Sequence, residues 1–150
     1  MTIRQQILQK LQERLDQYNW DAWQPEEVHL GRTIFDPDND PLPLLTIVAG
    51  TETSNRTAYR TNQREMPVEV SGLVSLANGA DVSEFCEPIY GEIEKGCFHG
   101  GAIQIGDDYF TIEFRGGGIV DYPSDPGPAV VTVGVSLAVT YETEIGDPTQ

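Results

Sequence analysis

Cys97 and His99 stand two residues apart, with Cys86 and His29 elsewhere in the chain. Cysteine and histidine together are the raw material of zinc sites and of thiol nucleophiles with their bases. No spacing among these four follows a zinc-ligand pattern, and neither histidine lies beside a pocket signature. Small apolar cysteines and a surface histidine are the simpler account, so neither a metal ligand nor a catalytic residue is assigned. Asp36, Asp38 and Asp40 form D-x-D-x-D, the opening of a calcium loop. The sixth position of that loop calls for glycine and holds Pro41, and the twelfth calls for glutamate and holds Ile47. A turn between two strands is the better reading. Paired carboxylates such as Glu26-Glu27, Asp107-Asp108 and Glu142 with Glu144 are too common in this acidic chain to mark acid–base chemistry. Gly116-Gly117-Gly118 lacks the G-x-G-x-x-G spacing and leads into no helix, so it is a turn or bulge beside Arg115 and not a phosphate cradle. No cofactor is expected.

The basic residues carry more. Of nine, three fall at Arg56, Arg60 and Arg64, inside a polar stretch between two strands. A spacing of four aligns side chains on a helix, but the threonine and asparagine content favours an extended arm. Strict alternation along such an arm also places all three on one face. Arginine pairs with carboxylates in a bidentate fork, so in an acidic protein these side chains are suited to gripping another copy or a partner. Arg56, Arg60, Arg64 and Arg115 are therefore the candidate subunit or partner contacts, set against the plainer role of keeping a loop soluble.

These residues need elements to position them. Ile3, Ile7, Leu8, Leu11 and Leu15 repeat at helical spacing, predicting an amphipathic helix over 3–18 with Thr2 as N-cap and Gln5 completing a capping box. Tyr18, Trp20 and Trp23 follow as core aromatics before Pro25. Strands are expected at 27–35, at Leu44 to Ala49, and from Pro67 to Leu76, with residues 50–64 a loop or the arms of a hairpin and 36–41 a turn. Gly79-Ala80-Asp81 opens a second helix through about Lys95, its buried side marked by Phe85, Ile89 and Ile93, bent or delayed by Pro88 and capped by Gly96. A strand from Tyr109 to Phe114 ends at the glycine triplet, and Ile119 to Tyr122 continues it briefly. A proline-rich connection over 123–128 leads to a long alternating strand from Val131 to about Thr143, and the tail 146–150 is expected to be loose. Helix, strands, helix, strands is the order of an α+β domain. The expectation is one domain over 1–150, with a mostly antiparallel sheet of five to six strands packed against two helices.

Composition narrows the function classes. The chain has 150 residues, 39% hydrophobic and 22% charged, enough to bury a core without a disulfide or metal staple. Twenty-four acids against nine bases give a formal charge of −15. Duplex DNA and anionic membranes both call for a basic face, so neither sequence-specific nucleic-acid binding nor membrane docking is expected. No apolar run is long enough for a membrane span, the N-terminus lacks a signal-peptide core, and two cysteines suit a reduced, cytosolic setting.

The whole pattern resembles the tail terminator (tail completion, minor tail) proteins of long-tailed bacteriophages. An amphipathic helix, Ile3 to Leu15, runs into Trp20 and Trp23. An apolar strand, Leu42-Pro43-Leu44-Leu45-Thr46-Ile47-Val48, follows a proline-containing turn, and a polar arm and strand precede a single helix. The chain then closes on Val139-Thr140-Tyr141-Glu142-Thr143-Glu144-Ile145-Gly146-Asp147-Pro148, similar to the terminal V-x-Y-x-T-x-x-G-D-P of those proteins. The resemblance implies a compact α+β subunit without catalysis. It implies a hexameric ring on the head-proximal end of the tail tube that stops tube polymerisation and presents the head-joining surface. Its partners would be further copies of itself, the tail tube protein and head–tail connector proteins, and its location the virion tail, after assembly in the host cytoplasm. Two other classes stay open: a neck connector of the same phage, and a small acidic enzyme or ligand-binding domain with a pocket hidden from sequence.

Overall fold

The computed structural model describes residues 2–21, 23–32, 42–58, 61–76, 81–121 and 129–144. The expected turn and D-x-D-x-D run at 36–41, Arg60, the Gly79-Ala80 helix start, the proline-rich connection and the loose tail lie outside them. The described elements are α1 (Ile3–Gln17), β1 (Glu27–Leu30), β2 (Leu44–Ala49), β3 (Thr53–Ala58), β4 (Thr61–Leu76), α2 (Val82–Phe98), β5 (Ile103–Ile105), β6 (Asp108–Asp121) and β7 (Ala129–Glu144).

The fold is α+β, with one curled sheet in the order β1-β2-β4-β7-β6-β5 and β3 added beside β4. All pairings are antiparallel except the short parallel pair β1–β2. The described strands number seven, against the five to six expected. β5 has only three residues, too few for a periodic signal, and β3 is polar up to its last residue, Ala58. β4 and β7 run side by side over sixteen residues each, about 50 Å of paired strand. β4 also supports two partners on its other edge: β3 against Thr61–Glu65 and β2 against Val68–Leu73.

Both helices lie on one side of this sheet. α1 begins with the expected capping box: the Gln5 amide donates to Thr2 Oγ1 at 3.1 Å and the Thr2 amide donates to Gln5 Oε1 at 2.9 Å. It buries Ile7, Leu11 and Leu15. α2 is capped by Asp81, whose carboxylate accepts from the Glu84 amide, and continues unbroken past Pro88 to Phe98. Losing one hydrogen bond at proline costs about 3 kcal/mol, and the burial of Cys86, Ile89, Ile93 and Cys97 on the sheet more than offsets it. Of the expected buried side, Ile89 and Ile93 are buried, while Phe85 is 46% exposed and Cys97 extends the stripe in its place.

Gly96 is not the C-cap. It sits inside α2 where the helix meets α1, and a Cβ there would stand 3.2 Å from both Leu15 Cδ2 and Trp20 Cη2. The end of α2 is secured from α1, because the Arg14 guanidinium donates to the carbonyls of Cys97 and Gly101 at 2.8 Å and of Ala102 at 3.2 Å. Burial in that position lowers the Arg14 pKa, opposed by its proximity to Cys97. Trp20 joins the core, and Trp23 packs edge-on against it and over Gly72 of β4. The glycine triplet does not end its strand either: β6 continues through it with irregularities at Phe114/Gly116 and Ile119/Asp121, and Gly116 and Gly118 take φ of +132° and +143°.

Candidate functional site

Side chains that face the helices along β7 are Val131, Val133, Val135, Leu137, Val139 and Tyr141, all buried, and along β4 they run from Val74 back to Met66. Beyond Met66 the chemistry changes. Arg64 and Asn62 continue the same face of β4, and Ser54 and Arg56 lie opposite them on β3. On the other face stand Thr53, Asn55, Gln63 and Glu65, with Thr140 and Glu142 of β7. The last third of the sheet, built from β3, β4 and β7, is thus an arm with polar residues on both faces.

The root of the arm is a cluster around Glu52. Arg4 from α1 reaches it at 3.1 Å and also donates to the Gly50 carbonyl at 2.7 Å. Arg64 from β4 lies 3.5 Å from the other carboxylate oxygen, and the Tyr141 hydroxyl of β7 donates to the first. Burial, together with the Glu52 carboxylate that takes its hydrogen bond, pushes the Tyr141 phenol up to about 12. Four segments are clamped at one half-buried carboxylate. Arg64 thus has a partner inside its own subunit. Arg56 is exposed on β3. Reversing the charge at Arg64 would set a second carboxylate beside Glu52.

Arg115, the fourth candidate, sits at the β6 irregularity on the face away from the helices. Its guanidinium meets Glu113 at 3.1 Å and crosses β7 to Glu65 of β4 at 2.8 Å. Around Arg115 and toward β3 this helix-free face carries small and polar side chains. Thr53, Asn55, Gln63, Glu65 and Thr140, with the edge of Ser54, line a trough of about 260 Å³, and a smaller one of about 90 Å³ follows over Ser71, Gly134 and Ser136.

The cysteine and histidine side chains are dispersed. Cys86 and Cys97 are buried under α2, where burial pushes both thiols up, Cys97 to about 12. His99 is exposed and packs edge-on against Tyr18, while His29 pairs with Glu27 on β1 at 2.7 Å. Among the described residues no group of three or more His, Cys, Asp or Glu is arranged to hold a metal ion, and no helix is long and apolar enough to cross a membrane.

Sequence reasoning picked out Arg64 and missed its partner. Glu52 looks like any other acid in a polar stretch, and Arg4 like the solvent face of a helix; only the tertiary fold, which also sets Arg64 opposite Tyr141, brings them together. Also missed were Tyr109 and Phe114 of β6, which are 67% and 40% exposed and flank a strand edge. No protein-family model matches the chain, and no curated protein is detectably similar to it.

Proposed function

We propose that this chain is the subunit of a ring that closes the head-proximal end of a bacteriophage tail tube, halts tube polymerisation there and offers the surface to which the head is joined. The observation that carries the proposal is the arm. β3, β4 and β7 extend past the apolar core with polar side chains on both faces, and the exposed Arg56 rides on the outermost strand. Ordering such a segment costs backbone entropy that no core burial of its own repays, which is reasonable in a piece whose faces are completed by neighbouring molecules. The helix-free face of the sheet over β4, β7 and β6 supports the same reading. It carries Glu65, Glu69, Glu113 and Glu142 with Arg115 as its cation, a surface that lets DNA pass without adhering when turned toward a lumen. The role is structural and involves no reaction.

Deleting the gene from the phage or prophage that carries it, and viewing the particles by electron microscopy, tests the proposal. Tails of uncontrolled length without heads are expected. Tails of normal length would refute a terminator, and unjoined heads beside them would indicate a neck connector.

A further inference from the structure

We infer that neighbouring copies join by strand pairing, the β3 edge of one chain against the β6 edge of the next; the inference rests on the ring reading and names the surface through which that ring closes. The sheet has an open edge on each side. On one side, β3 pairs only with β4, so the far edge of Thr53–Ala58 has no described strand against it. On the other, β5 covers β6 only over Asp108–Phe110, so the run from Thr111 to the irregularity after Phe114 has no described strand against it. Of the remaining edge strands, β5 has only three residues and β1 is already engaged, because Gln12 of α1 donates to the Val28 carbonyl at 2.9 Å.

Strand direction makes the two open edges compatible. β3 opposes β4, β4 opposes β7 and β7 opposes β6, so β3 and β6 run in opposite directions. A second copy set beside the first in the same orientation therefore meets β6 with an antiparallel β3. The alternation continues across the junction. Because the two edges differ, the contact is head-to-tail, the type of interface that generates a ring when its rotation closes.

The side chains agree with this placement. β3 carries Arg56 and no acid, whereas the β5–β6 hairpin carries Asp107, Asp108, Glu113 and Asp121 against Arg115. Among the described residues three large hydrophobic side chains are exposed, and two of them, Tyr109 and Phe114, stand just before the open run of β6 and at its end. Exposed aromatics beside an unpaired edge are what an interface uses and what a solvated edge strand avoids.

Full-length chains carrying single cysteines test the pairing. Asn55→Cys lies on the helix-free face of β3, and Thr111→Cys and Glu113→Cys lie on the same face of β6. Equal mixtures are oxidised at high concentration in about 1 M salt, where the screening length is only ~3 Å and self-repulsion is suppressed. An Asn55→Cys chain is expected to link to one of the two β6 variants at least about tenfold more than to a Ser83→Cys control, as groups held side by side do. The native cysteines are buried and stay silent. Linking at the control level, or linking only between identical β3 variants, overturns the pairing. Sedimentation of the unmodified protein under the same conditions separates the two ideas: oligomers without the β3–β6 link refute the pairing and leave the ring standing, whereas persistent monomers without the link refute the pairing and remove self-association from its support.

Discussion

Tyr141 shows how far one side chain can depart from its free behaviour. Its hydroxyl is donated to Glu52, and burial with that carboxylate holds the phenol protonated up to about 12. An unfolded tyrosine releases its proton near 10, so between the two values the unfolded chain has lost a proton that the folded chain retains. The contribution is whole below pH 10 and is lost as pH rises toward 12. Absorbance titration is expected to show one of the six tyrosines ionising near 12, absent in Tyr141→Phe. The thermal midpoint of the unmodified protein should fall more steeply across that window than that of the variant. Equal slopes would mean that the hydroxyl is not engaged. Little of this was legible in the sequence. Arg64 stands out because basic residues are scarce, but the acid that neutralises it is twelve positions away and the tyrosine is on a strand that pairs with it only in the fold.

At the scale of elements, glycines decide how closely the layers approach. A Cβ at Gly72 would lie 2.9 Å from Trp23 Cη2 and 3.1 Å from Ile93 Cδ1, so Gly72→Ala must push a side-chain layer off β4. Overpacking of this kind costs about 1–3 kcal/mol. Gly117 is tighter, because its Cβ would meet the Gly134 carbonyl, Tyr90 Cε2 at 2.8 Å and Val135 Cα at 3.0 Å. Backbone cannot swing aside as a side chain can, so denaturant unfolding should show a larger loss for Gly117→Ala than for Gly72→Ala. The reverse order would mean that β6 shifts more easily than Trp23. The sequence presents both positions simply as glycine, one within an apparent strand and one within an apparent turn. Gly96 is the same case: it follows a helical run and looks like a cap, but its missing side chain is needed by Leu15 and Trp20 across the α1–α2 contact.

For the whole molecule, charge is the dominant fact. At −15 the folded chain repels itself and its neighbours. Screening by salt should therefore stabilise it, by on the order of 1 kcal/mol or ~3 °C in the thermal midpoint for a chain of this size. Calorimetry from low to moderate ionic strength checks this, and a falling midpoint would mean that the Glu52 and Arg115 pairs outweigh the repulsion. A ring of such subunits needs specific contacts to hold it against its own charge. Backbone pairing between open edges meets that need, since hydrogen bonds between strands are far less sensitive to salt than long-range repulsion.

Local pattern determined the elements whose signal is periodic and self-contained. Helix α1 with its capping box, the apolar run of β2 and the alternation of β7 follow from spacing alone, because each residue's preference is set by neighbours a few positions away. The acidic charge and the α+β order are equally properties of the chain. Tertiary structure alone decided the rest. The continuation of β6 through three glycines, the passage of α2 through Pro88, the Glu52 cluster and the two open sheet edges all depend on which strand lies beside which. That choice is made by burying both helices on one face of the sheet, and it is the energy of that packing, shared among distant residues, that no local stretch of sequence records.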